Sequence, residues 1–279
     1  MLIDVTRLLD RALQGRRPTG VDRVGLAYVE HFRWRAHALV RFAGRWVVFG
    51  EADSRRLFDW LLATDARQAN RMRGLVGRAY ALNWRQPELG SILINTGHSG
   101  LDRADYAERV RRYGLRPLYF LHDLIPLTFP EYARPGEAER HRQRLSTMLT
   151  TAHGLIVNSA VTGRELETYA ARLGVAAPPL VVAHLAPPAF PSPASQRPLS
   201  EPYFVVLGTI EPRKNHLLLL KLWRTLVAEQ GERAPRLVVI GQRGWECEQV
   251  VDMLERCEAL KGFVIEMPGC DDAALATWL

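Results

Sequence analysis

Short apolar runs alternate with stretches of helical periodicity along nearly the whole chain. Leu2–Val5, Ser91–Asn95, Leu118–His122, Leu155–Val157, Tyr203–Leu207, Leu237–Ile240 and Phe263–Glu266 read as strands. They are continuously apolar instead of alternating, the pattern of strands buried on both faces of a parallel sheet. A parallel pair needs a crossover, and the intervening segments supply helices. Gly20–Phe32, with Val21, Val24, Tyr28 and Phe32 expected on one face, is one; 103–113, 135–151 and a helix from the Ser159 cap to Leu173 are others. Between Leu2–Val5 and Gly20 the reading is a Gly- and Arg-rich loop. Residues 38–42 and 45–49 form either a hairpin around Gly44 or two further strands, and 51–80 reads as helical. The fold class that follows is α/β with helices on both sides of mainly parallel sheets.

The pattern breaks once. Pro178, Pro179, Pro187, Pro188, Pro191, Pro193, Pro198 and Pro202 crowd a stretch that can continue neither a helix nor a central strand. The expected division is therefore an N-terminal domain over 1–185, a Pro-rich linker over 186–202 and a smaller domain over 203–279, in which three β-α units follow one another. With 279 residues, 47% of them hydrophobic, the chain can fill two cores. Cys247, Cys257 and Cys270 have neither the number nor the spacing of a disulfide framework or zinc site, so a reducing cytoplasm is expected. No apolar run approaches the roughly 20 residues of a membrane span. The net charge of +7 rests almost wholly on arginine, which is compatible with solvated helix faces, a phosphorylated ligand or an anionic membrane surface. Nucleic acid is not expected as a partner, because the arginines lack interleaved aromatics and no recognition motif is present.

Chemistry concentrates after strands. Gly208-Thr209-Ile210-Glu211-Pro212-Arg213-Lys214-Asn215-His216 joins Tyr203–Leu207 to an amphipathic helix. Gly208 allows close backbone approach, the helix start favours an anion, and Arg213 and Lys214 add full positive charge, together a site for a diphosphate. Val239–Trp245 is a second glycine turn, with Gly241 at its bend. In the first domain His122-Asp123 follows Leu118–Leu121, where α/β proteins place ligands; Asp123 either orients His122 or caps the loop. Asn95-Thr96-Gly97-His98-Ser99-Gly100 follows another strand, and Pro18-Thr19-Gly20-Val21-Asp22-Arg23 opens the first long helix. Asn95, Gly97, Asp123 and Gly20 are the expected cleft-lining residues. Asn158-Ser159 reads as a helix cap. The absence of D-x-D, H-E-x-x-H, G-x-S-x-G and G-x-x-x-x-G-K-[ST] patterns leaves anion handling to protein cations, with no metal and no cofactor expected.

The Gly208–Asn215 segment, the Val239–Trp245 turn, His122–Pro126 with Pro130-Glu131-Tyr132, and Thr19-Gly20-Val21 with Arg23 together resemble the retaining, nucleotide-sugar-dependent glycosyltransferases of family 4, which have the two-Rossmann-domain GT-B architecture. The resemblance covers essentially the full chain and is most specific in the second domain. It implies two Rossmann-like domains, a GDP- or UDP-sugar donor held mainly by the second, and a glycan or lipid-linked acceptor held mainly by the first. Surface polysaccharide synthesis at the cytoplasmic face of a membrane would be the setting. Arg213 and Lys214 would hold the diphosphate with Gly208 and Gly241, His122 would act at the donor sugar, and Gly20 would pack near donor and acceptor. The family's second domain also carries two glutamates seven residues apart in a Glu-Gly-Phe/Tyr-Gly-like setting, which this sequence lacks. The resemblance therefore implies an incomplete second domain and little activity unless the rest is supplied. The alternative is a non-catalytic binding or assembly subunit of a split glycosyltransferase.

Overall fold

The structure is a computed structural model that describes residues 1–63, 68–82, 85–187, 190–194 and 196–279. The chain forms two compact units: Met1–Thr128 with Gly136–Leu185, and Phe129–Pro135 with Ala186–Leu279. Residues 64–67, within the stretch expected to be helical, and Pro188 of the expected linker lie outside the described residues.

The first unit is built on a seven-stranded sheet of β1 (Leu2–Asp4), β2 (His37–Phe42), β3 (Arg45–Val48), β4 (Ile92–Asn95), β5 (Arg116–Leu121), β6 (Gly154–Val157) and β7 (Leu180–Val182). Their order is β3-β2-β1-β4-β5-β6-β7. All neighbours are parallel except β2 and β3. Those two form a hairpin whose turn residues Ala43 and Gly44 both have positive φ, 46° and 72°, matching the strand twist. Adjacent residues serve opposite cores, as period-2 geometry requires. Ile3, Ala38 and Val40 pack with α1 (Thr6–Leu13), α2 (Gly20–Phe32), α3 (Glu51–Ala63) and α4 (Ala69–Ala81). Leu2, Leu39 and Leu121 pack with α5 (Ala104–Arg112), α7 (Glu137–Thr151) and α8 (Ala160–Arg172). The short α6 spans Ile125–Thr128.

Three local expectations are corrected. Thr6–Leu13 is a helix, not a loop: Leu8 and Leu9 are buried while Arg7 and Arg11 are half-buried against the Asp22 carboxylate, a stripe too short to register as periodicity. The buried face of α2 is wider than the expected one: Val24 is buried and Tyr28 and Phe32 pack against the core as expected, but Asp22, Gly25 and Val29 are buried too, Asp22 held by Thr19, Arg7 and Arg11. Leu180–Val182 is a strand despite its flanking prolines: it lies at the sheet edge, and the Pro179 carbonyl accepts a hydrogen bond from Leu155 N–H, a role that needs no proline donor. As expected, Ser159 caps α8 by accepting from Thr162 N–H at 3.1 Å.

The second unit has three parallel strands, β8 (Tyr203–Leu207), β9 (Arg236–Ile240) and β10 (Val264–Met267), in the order β10-β9-β8. Helices α9 (His216–Gln230) and α10 (Glu248–Arg256) cover one face, around Leu220, Trp223, Leu237 and Val239. On the other, α11 (Asp272–Trp278) packs with Val238, Ile240, Phe190 and Leu199. Part of the Pro-rich stretch thus belongs to this unit's core, because Phe190 and Leu199 bring it onto the sheet. From the 129–135 segment, the Arg134 guanidinium sits 4.6 Å over the Trp245 ring. The outer edge of β8 pairs with no strand among the described residues, and Phe204 and Leu207 are exposed beside it. Among the described residues no helix is long and apolar enough to cross a membrane.

Candidate functional site

In the first unit the strand order reverses direction between β1 and β4, the switch point whose carboxyl end makes a crevice in doubly wound sheets. Thr6-Arg7 follows β1 there, Asn95-Thr96-Gly97-His98 ends β4, and His122-Asp123 follows β5 one strand away. A buried salt bridge, Arg41 Nε to Asp4 Oδ2 at 2.7 Å, underlies the crevice, and Arg41 also donates to the Ser99 carbonyl at 2.6 Å. Asn95 is 1% exposed and is consumed within its loop: its amide donates to Tyr106 Oη and the Ser99 carbonyl, and its Oδ1 accepts from Gly97 N–H. It shapes the loop from inside. Gly97 is pressed against Arg7, whose Cδ lies 2.9 Å from where a Cβ would stand.

Asp22 ties the entry of α2 to α1. Its carboxylate takes Arg7 Nε and Arg11 Nε, both at 2.8 Å, and hydrogen bonds from the Thr19 N–H and hydroxyl at 2.7 and 2.6 Å. Burial alone would raise its pKa, but the Thr19 hydrogen bonds and the two arginines outweigh that and hold it below the usual carboxylate range. Thr19-Gly20 is therefore fixed, with open space around the Gly20 Cα. The Thr-x-x-Asp spacing of a capping box was visible in the sequence; the arginine partners were not.

His122 donates from Nε2 to the Thr96 carbonyl at 2.8 Å, which leaves Nδ1 as an acceptor. Asp123 does not orient it: the Asp123 carboxylate caps Ile125 N–H, and its carbonyl accepts from His141 Nε2. His98, packed 5.2 Å from His122 and 6.0 Å from His141 between ring centroids, donates to the Phe120 carbonyl. Desolvation lowers the pKa of all three, most strongly at His98, so the cluster is neutral at pH 7. Since the folded pKa values lie below the unfolded ones, the unfolded state binds more protons in acid. Their contribution is complete above about pH 6.5 and falls as pH drops, by up to about 1.4 kcal/mol per pH unit for each histidine. Urea titrations from pH 7.5 to 5 should show this slope, reduced in His98→Gln; equal slopes in both proteins would exclude the cluster as its source.

In the second unit two glycine turns interlock at the carboxyl ends of β8 and β9. Ile210 N–H donates to the Gln242 carbonyl and Gly244 N–H to the Ile210 carbonyl, both at 2.9 Å. Gly208 has φ +146°, and a Cβ on Gly241 would overlap the Gly208 carbonyl. Gly241→Ala should destabilise this unit by about 1–3 kcal/mol, the range for forcing atoms into packed space, read as a lower thermal midpoint; an unchanged midpoint would show that the turns give way freely. Arg213 and Lys214 lie in a 3₁₀ turn before α9, whose first residue is His216. Arg213 is ion-paired at 2.5 Å with the buried carboxylate of Glu211. Lys214 makes no hydrogen bond or ion pair among the described residues and lays its stem over Gly208. His216 is 2% exposed with both ring nitrogens unpartnered, and burial followed by Lys214 lowers its pKa. Glu211 and His216 stood in the quoted motif, but nothing in its pattern marked their burial. No group of three or more His, Cys, Asp or Glu side chains is arranged to hold a metal ion among the described residues.

No family model matches the chain. In sequence it is similar to the serotype-specific mannosyltransferase WbdA of Escherichia coli: 25% identical over 197 residues, 65% of this chain and 24% of the relative. A further WbdA relative from the same organism is 26% identical over 161 residues, 52% of this chain and 20% of its own length. The matches thus span about a quarter or less of the relatives' length. Among solved structures, two crystal structures of TarM, the first from S. aureus, align at 11% and 13% identity with TM-scores of 0.45 and 0.44, each covering 64% of this chain and 33% of TarM. The glycosyltransferase resemblance carried by the motifs is borne out by the similarity to WbdA.

Proposed function

We propose that the chain is a glycosyltransferase of the retaining, nucleotide-sugar-dependent type, moving a hexosyl unit from a GDP- or UDP-sugar to a glycan or lipid-linked acceptor in surface polysaccharide synthesis. Mannose is the leading sugar, because it is the one in the relatives' name. The observation that carries the reading is the turn before α9: an unpaired Lys214 over Gly208, beside Arg213 and a helix start, is a ready receptor for a diphosphate. Lys214 and Arg213 neutralise the charge that grows on the leaving nucleotide as the glycosidic bond breaks, and Gly208, with Gly241 holding the adjoining turn against it, lets the diphosphate approach the backbone. Neutral His122 accepts a hydrogen bond from a donor-sugar hydroxyl at Nδ1 and steadies the oxocarbenium-like state. Gly20, Gly97 and the fixed loops around Asn95 and Asp123 frame the acceptor side. No metal is required, since protein cations carry the anion. The setting is cytoplasmic, at an anionic membrane face.

Calorimetric titration with GDP, UDP and their hexose conjugates tests this; absence of binding by all of them would remove the reading. The open β8 edge, with Phe204 and Leu207 exposed, favours as a second reading a subunit that binds donor but turns it over only with a partner. Binding without turnover by the purified chain would select it.

A further inference from the structure

The first unit carries an arginine-rich face away from the carboxyl-end loops. At the end of α2, Trp34 is 61% exposed and lies between two guanidinium groups, Arg33 at 4.9 Å and Arg55 of α3 at 5.1 Å from its ring. Arg33 also pairs with Asp59, which borders a groove of about 510 Å³ between α3 and α4. The groove has an apolar floor that includes Trp60, Met72 and Leu75, and a rim bearing Arg56, Arg71 and Arg78. Countercharge is present: Glu51 pairs with Arg55, and Asp53 is shared by Arg56 and Arg78. Arg71 makes no ion pair among the described residues.

An exposed indole braced by arginines beside a basic groove with an apolar floor combines two features of membrane-interface surfaces. The amphipathic ring settles at headgroup depth, and the guanidinium groups meet lipid phosphates. Arginine suits phosphate because its fork bonds two oxygens at once. We infer that the α2 end, α3 and α4 form a docking face for an anionic phospholipid surface, with Trp34 as the inserted residue and Arg71 as the headgroup contact. This deepens the proposed setting at a membrane and rests on it for its biological sense, but not for its measurement.

The experiment is co-sedimentation of the full chain with vesicles of phosphatidylcholine, alone or mixed with phosphatidylglycerol, at low and high salt. Trp34→Ser, Arg71→Glu and the double variant are compared with Arg140→Glu, a change on α7 outside this face; circular dichroism verifies folding of each. The expected result is salt-sensitive binding to the anionic vesicles only. Arg71→Glu should weaken it about fivefold or more, given ~1 kcal/mol for a basic residue near such a surface. Trp34→Ser should weaken it further, and Arg140→Glu should leave it unchanged. Equal binding to neutral vesicles, no binding to either, or equal losses with Arg140→Glu would overturn the assignment. So would displacement by inorganic phosphate or duplex DNA at matched charge, which would make the face a site for soluble anions. Nucleotide titrations on the same samples separate the two ideas: lost vesicle binding with retained nucleotide binding removes only the docking face, and the reverse removes only the transferase reading.

Discussion

Lys214→Ala should weaken binding of a nucleoside diphosphate about tenfold to a hundredfold, the ~1.5–3 kcal/mol of a hydrogen bond to a charged group, while leaving the fold intact. The side chain makes no hydrogen bond or ion pair among the described residues; its stem rests against Gly208, and its charge disfavours protonation of His216. Removing it therefore strands nothing. In turnover the loss should reach about a hundredfold to a thousandfold, because preorganised charge counts most where charge develops. Arg213→Ala should behave differently. Glu211 is buried and its carboxylate answers Arg213 at 2.5 Å, so losing the arginine leaves a desolvated anion beside a site for another anion. Both nucleotide affinity and the stability of the second unit should fall. Calorimetry and urea unfolding on the two variants distinguish the cases: identical behaviour in both assays would show that the Glu211 pairing has no energetic weight.

Asp4→Ala should cost about 3–5 kcal/mol of stability, the range for removing one partner of a buried ion pair. The Asp4 side chain is fully buried and that of Arg41 nearly so. Arg41 stacks by Trp46 and Tyr106, 5.7 and 5.1 Å from their rings, and holds the Ser99 carbonyl. Without Asp4 its charge has no buried counterpart, and the loop carrying Gly97 and His98 loses its underpinning. Restoring charge balance by an Asp4→Asn, Arg41→Met double change should recover a large part of the loss, since an apolar replacement of a buried pair is far less costly than half of one. A cost below about 1 kcal/mol for Asp4→Ala, within the span of ordinary surface changes, would rule out this role.

Most of the scaffold was legible because strands buried on both faces announce themselves as unbroken apolar runs, as Leu237–Ile240 does within β9; Tyr203–Leu207, an edge strand, and Gly20–Phe32 also fall where the pattern set them. What escaped was set by tertiary partners. Thr6–Leu13 offers two buried leucines among charged residues, too little for a period, and α2 buries the polar Asp22 beside its apolar face because two arginines from α1 reach its carboxylate. The candidate site was legible as a list of turns: glycine, histidine and paired cations after strands. Its wiring was not. That Asn95 faces inward, that Asp123 serves as a cap and not as a partner of His122, and that Glu211 holds Arg213 all depend on which polar groups burial leaves without water.

The interlocked glycine turns after β8 and β9 bear on how such a protein could be altered. Because Gly241 abuts the Gly208 carbonyl and the 241–244 bend hydrogen-bonds Ile210, neither loop has an independent shape. Grafting one of them from a relative, or diversifying it alone in a library, should mostly yield chains that misfold locally, whereas transplanting both as a matched set preserves the mould. New specificity is thus inherited in pairs of loops here, and the single substitutions that survive will cluster at the exposed side chains of the turn, not at its bends.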